Sequence, residues 1–150
     1  MRIAIGNDHR GLPLKQTMIP WLQSQGHEVL DLGAGAPDSV DYPDYAAAVA
    51  HAVARNEAER GILICGTGIG MAIAANKVPG IRATIVCCEE QAEVCRRHNN
   101  VNVLCIGEKQ AEDGLAQKLV TRWLATGFDG GRHALRVEKI AKVEADGCGR

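Results

Sequence analysis

Short apolar stretches alternate with helical patterns along the whole chain, and this alternation restricts the possible folds more than any other feature. The sequence predicts five strands, at Arg2–Gly6, Glu28–Leu32, Gly61–Cys65, Arg82–Val86 and Asn102–Gly107. It predicts helices at Leu12–Ser24, Tyr45–Arg55, Gly70–Lys77, Glu89–His98, Ala111–Thr126 and Arg132–Glu144. Strands that alternate with helices form βαβ units, so we expect an α/β fold with a mostly parallel sheet covered on both faces.

Composition narrows the class of protein. The 150 residues predict a single domain, residues 1–150, and 46% hydrophobic with 23% charged residues is an ordinary globular balance. A net charge of −1 and 3% aromatic residues argue against a nucleic-acid partner. No apolar run approaches the roughly 18 residues that span a bilayer, so no membrane partner is expected. The start "MRIAIG" lacks the pattern of a secretory leader, which predicts a cytoplasmic protein.

Six cysteines raise the question of metal or redox chemistry. They are Cys65, Cys87, Cys88, Cys95, Cys105 and Cys148, and none forms a CxxC pair. The sequence therefore predicts no metal site and reduced thiols, most of them packing residues, although a redox-sensing thiol stays open as an alternative. The last few residues, in "EADGCGR", are expected to be disordered.

A glycine loop follows the third predicted strand, in "CGTGIGMAIA". Gly66, Gly68 and Gly70 alternate there before a helical pattern. Backbone N–H groups in such a loop can hold an anion, whereas a tight turn that needs glycine is the structural alternative. A dinucleotide site is a further alternative, because Glu89 and Glu90 follow the next strand where a ribose-binding acid would stand.

Cys65 stands where the third strand meets this loop. A buried cysteine is usually an inert packing residue. A cysteine at a helix N-terminus can instead ionise more easily and act as a base or as a nucleophile beside amide donors. The sequence leaves the roles of base and nucleophile equally open for Cys65. Thr67 adds a hydroxyl in reach of the same space.

Two polar segments offer further candidates, each with a structural alternative. In "NDHRG" (7–11), Asp8 suits a helix cap. His9 is either an exposed loop residue or, beside Asp8 at a strand end, a group that binds a phosphate or polarises a sugar oxygen. In "RRHNN" (96–100), the cations suit a helix C-terminus, and His98 is the candidate general acid.

The last helical pattern carries two arginines on one face. Arg132 and Arg136 are four residues apart after a Gly-Gly pair. A solvated charged face is one interpretation. The other is a pair of guanidinium groups on one phosphate, within this chain or in a neighbouring subunit.

Five segments together resemble a known family. They are "IAIGNDHRG", "DYPDYA", "GILICGTGIGMAIAANKVPGIRA", "RRHNNVNVLCIG" and "GGRHALRVEKI". They resemble the ribose-5-phosphate isomerases of type B, in the family that also holds allose- and galactose-6-phosphate isomerases. The resemblance implies a Rossmann-like α/β/α sandwich with a five-stranded parallel sheet. It also implies a homodimer or tetramer with shared active sites, and aldose–ketose isomerisation through a cis-enediolate without cofactor.

The resemblance also implies roles for individual residues. Cys65 would be the base, and Thr67 and His98 would assist ring opening, with His98 as proton donor. Substrate-binding positions would be Asp8, His9, Tyr42, Gly66, Gly68, Ile69, Gly70, Asn99, Lys109, Arg132 and Arg136, with His98 and the arginines from the partner subunit. Lys109 stands where the family often has arginine, and lysine lacks the bidentate fork. Tetrose and hexose phosphates stay open as substrates, depending on the room near Tyr42.

Overall fold

The protein, described by a computed structural model over residues 1–147, contains five strands that the sequence predicts closely. The strands are Arg2–Asn7 (β1), Glu28–Asp31 (β2), Arg60–Cys65 (β3), Ala83–Ile85 (β4) and Val103–Gly107 (β5). The helices are Leu12–Ser24 (α1), Tyr42–Ala54 (α2), Ile69–Ala75 (α3), Glu89–Asn99 (α4), Leu115–Ala125 (α5) and Arg132–Gly147 (α6). A 3-10 helix, Glu108–Gly114, links β5 to α5.

The five strands form one parallel sheet in the order β2-β1-β3-β5-β4. From β1 the chain moves to β2 on one side and then crosses to β3 on the other side. In open α/β sheets, ligands bind at the carboxyl ends of the strands at such a reversal. The crevice therefore lies between the ends of β1 and β3, where Asp8 and Cys65 stand.

Helices cover both faces of the sheet and bury separate cores. On one face, Met18 of α1 and Leu119 and Trp123 of α5 pack against the strands and are fully buried. On the other face, Val49 of α2 and Met71 of α3 are equally buried. The predicted three-layer α/β/α sandwich is confirmed.

Two predicted helix starts are wrong. Helix α2 begins at Tyr42 and not at Tyr45, because Pro43 is compatible with a first helical turn and Asp41 before it is extended. The predicted helix Ala111–Thr126 is divided, because Asp113 and Gly114 adopt left-handed backbone angles, with φ of 52° and 67°. Only Leu115–Ala125 forms the α-helix.

The C-terminal segment is more helical than predicted. Helix α6 continues past Glu144 to Gly147. Residues 148–150, which include Cys148 and the end of the predicted disordered tail, lie outside the described residues. Within residues 1–147, no helix combines the length and apolarity needed to cross a membrane.

Candidate active site

Cys65 is the last residue of β3 and is 5% exposed. Its Sγ accepts a hydrogen bond from the backbone N–H of Gly68, at 3.1 Å. Gly68 has φ of 81°, and a Cβ there would stand 3.3 Å from the backbone nitrogen of Ile106. Glycine is therefore required where the chain turns its N–H group back toward the sulfur. The contact fixes the sulfur against the glycine loop.

The rest of the loop is organised by close contacts. Thr67 Oγ1 accepts a hydrogen bond from the N–H of Ile69 at 3.2 Å. A Cβ at Gly70 would lie 2.5 Å from the ring of Tyr42, so the Tyr42 ring packs directly against the loop. The amides of Gly68 and Ile69 thus already bond within the loop. An oxyanion would have to share them or use the neighbouring amides.

The segment after β1 lies beside this loop. Asp8 is 6% exposed, and its Oδ1 accepts hydrogen bonds from the N–H groups of Arg10 and Gly11, both at 3.0 Å. The helix-cap interpretation of Asp8 is wrong, because the N-cap position of α1 is Gly11 and no side chain caps that helix. One oxygen of Asp8 instead holds the turn before the helix through both bonds. Nδ1 of His9 accepts from the N–H of Val40 at 3.3 Å. In the neutral ring the proton then sits on Nε2, which is left as a donor.

Arg10 and Glu108 form an ion pair at the same edge, which sequence analysis missed. Arg10 Nε donates to Glu108 at 3.1 Å, and its Nη2 contacts the second carboxylate oxygen. The guanidinium lies over Gly66, where a Cβ would stand 3.1 Å from its Cζ. The hydrogen bond with Glu108 is the main cause that raises the pKa of Arg10. Lys109 follows Glu108 in the 3-10 helix and is exposed.

The other predicted site residues lie at the opposite edge of the sheet. Helix α4 starts beyond the carboxyl end of β4 and runs back, so His98 and Asn99 in its last turn stand near the start of β5. The N–H of Asp129 donates to the carbonyl of Arg97 at 3.0 Å, which brings the start of α6 to the same place. A five-residue strand spans about 17 Å. Within one chain, therefore, His98, Asn99, Arg132 and Arg136 form a group separate from Cys65.

This second group contains a histidine pair. The rings of His98 and His133 stack with centroids 4.1 Å apart and planes 3° from parallel. Their donor atoms and a carboxylate oxygen of Asp129 lie within 4.8 Å of one another. Arg97 holds Asp129 through contacts of 3.1–3.3 Å and lowers the pKa of that carboxyl. Sequence analysis missed His133, although it lies inside the quoted segment "GGRHALRVEKI".

The pKa of His133 is itself lowered. Burial is the largest cause, and the positive charges of His98, Arg132 and Arg136 add to it, whereas Asp129 opposes it. His133 therefore titrates below an ordinary histidine.

The sheet order weighs against the dinucleotide alternative. Glu89 and Glu90 begin α4 after β4, but β5 lies between β4 and the strand that carries the glycine loop. A ribose-binding acid belongs to the strand beside the loop in a dinucleotide fold. Arg122 lies 3.8 Å from Glu89 instead.

The cysteines divide into buried and exposed groups. Cys95 and Cys105 are buried, and burial raises the pKa of both thiols, to about 11 for Cys95. Both are the packing residues that the sequence predicts. Cys87 and Cys88 are exposed, so the packing interpretation is wrong for them, because both lie in the turn between β4 and α4.

Comparison with known proteins gives consistent results. The sequence model of a family described as Ribose/Galactose Isomerase matches residues 3–140. Ribose-5-phosphate isomerase B of Escherichia coli is 47% identical over 144 residues, 95% of this chain and 96% of that protein. The structure of Clostridium thermocellum ribose-5-phosphate isomerase B superposes with a TM-score of 0.95 at 48% identity, covering 97% of this chain and 99% of that one. A Mycoplasma genitalium ribose-5-phosphate isomerase B with bound ribulose 5-phosphate has a TM-score of 0.92 at 41% identity, covering 97% of each chain.

Proposed function

The chain belongs to the ribose/galactose isomerase family, and on that premise we propose that it interconverts ribose 5-phosphate and ribulose 5-phosphate. The observation that carries the proposal is the position of Cys65, whose Sγ lies 3.1 Å from a loop amide at the sheet's ligand-binding edge. The bound ribulose 5-phosphate in the Mycoplasma genitalium relative supports a five-carbon substrate.

Cys65 acts as the base in the proposed reaction. Its thiolate removes the proton from C2 of the open-chain aldose, and the C–H electrons form the C1–C2 double bond of a cis-enediolate. The same thiol then returns the proton to C1, while the proton of the C2 hydroxyl passes to the oxygen on C1, which leaves a carbonyl at C2 and a hydroxyl at C1. A base close to the C–H bond and amide donors on the developing oxyanion are the two requirements of this chemistry. The reaction changes no net oxidation state, so it requires no redox coenzyme.

The remaining residues bind the substrate and open its ring. The amides of Gly66 and Gly70 donate to the enediolate oxygens, and those of Gly68 and Ile69 share their loop hydrogen bonds with the same oxygens. Asp8 offers its second carboxylate oxygen to a sugar hydroxyl. Nε2 of His9 donates to the phosphate. Thr67 and His98 open the ring, with His98 protonating the ring oxygen, while Asn99 contacts a hydroxyl. Lys109, Arg132 and Arg136 supply further positive charge for the phosphate.

We propose that two subunits build each site. His98 and the arginines stand at the edge of the sheet away from Cys65, so a second copy must supply them. Apolar surfaces at both places support this assembly. Ile69 and Ile73 of α3 are 53% and 60% exposed, and Leu135 and Val143 of α6 are 62% and 72% exposed. A homodimer, or a tetramer of such dimers, would cover these side chains.

Other features of the proposal follow from the family. Tetrose and hexose phosphates, such as erythrose 4-phosphate and allose or galactose 6-phosphate, are the alternative substrates, and Tyr42 beside Gly70 would set the room for them. The single domain, a cytoplasmic location and a place in the pentose phosphate pathway stay predictions.

Turnover of ribose 5-phosphate by two cysteine variants tests this function. Cys65→Ala should reduce kcat to background, because no other base occupies that position. Cys87→Ala is the matched control, since its thiol is exposed outside the site, and it should keep full activity. If both variants keep full activity, Cys65 is not the base. If the unchanged protein converts another sugar phosphate but not ribose 5-phosphate, the proposed substrate is wrong.

A further inference from the structure

Helix α6 is held to the rest of the chain in an unusual way. Among its residues Arg132–Gly147, one side chain is buried, and it is His133, at 8% exposure. A surface helix normally buries an aliphatic stripe. Here the buried group is an imidazole, and it lies flat against His98 at 4.1 Å.

On the basis of the proposed function, we propose that His133 is a positioning residue that fixes the His98 ring and keeps the pair's single proton on His98. The stack supports this because a parallel ring restricts rotation of its neighbour. His98 lies in the last turn of α4, two residues before the left-handed Asn100 that ends the helix, so α4 alone fixes it weakly. Contact with α6 supplies the missing constraint.

Charge around the pair supports the second half of the proposal. The groups that face His133 are His98 from α4, Arg132 and Arg136 from its own helix, and Asp129 from the segment before α6. The three cationic groups and burial lower the pKa of His133, and one carboxylate opposes them. Two stacked imidazolium rings would repel each other. The ring whose pKa is lowered is His133, so His133 is the ring that stays neutral when the pair carries one proton.

Coordination of a metal fits this geometry poorly. A metal ion lies in the plane of each imidazole that binds it, along the nitrogen lone pair. Two rings only 3° from parallel point their lone pairs side by side and not toward one point. The carboxylate of Asp129 is already engaged by Arg97. The geometry of His98, His133 and Asp129 therefore fits control of a proton better than coordination of a metal.

The stack also joins two parts of the proposed site. Arg132 precedes His133 by one residue, and Arg136 follows it by three, so all three lie in the first turns of α6. A shift of α6 would move both the phosphate ligands and the support of His98. Binding of the phosphate and placement of the proton donor are thereby coupled.

Kinetics of His133→Ala and His133→Phe test the proposal. The alanine variant should lose kcat by about 10-fold to 100-fold with KM changed little, because the donor is misplaced. Phenylalanine keeps a flat ring and should restore most of kcat at pH 7. Glu138→Ala, an exposed change on the same helix, is the control and should leave kcat unaltered. Equal kcat in the alanine variant and the unchanged protein would overturn the proposal, as would equal loss in both His133 variants.

The pH profile separates positioning from mere packing. Because its pKa is lowered, His133 gains a proton only at a pH below the range of an ordinary histidine, and the charged ring then repels a proton on His98. Phenylalanine cannot do so, so the ratio of its kcat to that of the unchanged protein should rise as pH falls from 7 to 5. A constant ratio would overturn the proposed control of the proton.

One measurement does not depend on turnover. Imidazole nitrogen NMR of the full chain should show the pKa of His133 rising when His98→Phe removes a repelling neighbour. An unchanged pKa would overturn the inference even if the protein is an active isomerase. Absent turnover together with the expected shift would reject the proposed function and keep the coupled pair. If calorimetry shows tight Zn²⁺ binding that is lost in His133→Ala and in His98→Phe, the histidine pair is a metal site and the proposal is overturned.

Discussion

Mixing two inactive variants tests the shared active site. Cys65→Ala removes the base at one edge of the sheet, and His98→Phe removes the proton donor at the other edge while it keeps a ring against His133. The two groups are separated within one chain by the length of β5, about 17 Å for five residues. If the site joins two chains, a mixed dimer contains one site with both groups intact and one with neither.

The expected magnitude follows from counting sites. Equal amounts of the two variants, unfolded and refolded together, give mixed dimers as half of the population. One of the two sites in each mixed dimer works, so the mixture should recover about 25% of unmixed wild-type activity. Each variant refolded alone should stay at background. The assay is turnover of ribose 5-phosphate at saturating concentration.

A same-edge pair provides the control. Cys65→Ala and Asp8→Ala alter residues that the structure places beside each other, so their mixed dimer has no intact site. This mixture should not exceed the activity of its components. If Cys65→Ala with His98→Phe also shows no recovery while mixed dimers are present by mass spectrometry, the shared site is refuted.

Further predictions concern binding, backbone strain and acid stability. Arg136→Ala should raise KM about 10-fold or more and change kcat less, because it removes a phosphate ligand, whereas Arg122→Ala on α5 should leave both unchanged. Gly68→Ala should destabilise the fold by about 1–2 kcal/mol from its left-handed angle and also reduce kcat. Gly26→Ala, with φ of 82° and no neighbour within 4 Å, should show the strain alone by urea unfolding. Asp129 has a lowered pKa in the folded state, so its stabilisation is present above about pH 4 and lost as pH falls further. The difference in unfolding free energy from Asp129→Asn should therefore shrink between pH 7 and pH 3 at low salt, and a constant difference would contradict this.

Local patterns predicted the elements of this fold better than their arrangement. The apolar residues 62–65 in "GILIC" suit a buried parallel strand, so the sequence predicts β3 to within one residue. The order of strands was not predictable from such runs, because it depends on long-range pairing. The position of β5 between β3 and β4 is what separates Glu89 from the glycine loop.

The candidate site shows the same division. The loop chemistry of Cys65 and the glycines is local, and the sequence contains it in ten residues. The partner of Arg10 is Glu108, 98 residues away, and no local pattern connects them. The role of His133 could not be predicted from the sequence for a related reason. It stacks on a ring of another helix, and the pattern of α6 shows only a histidine among charges.

Deuterium incorporation tests the central claim, proton transfer by Cys65, most directly. The protein is incubated with ribose 5-phosphate in deuterated water without added metal, and proton NMR follows both ribulose 5-phosphate and deuterium at C1. We expect rapid ketose formation with deuterium at C1, and neither product nor label with Cys65→Ala. Ketose formation or label that persists in Cys65→Ala at the rate of the unchanged protein would contradict the assignment of the base.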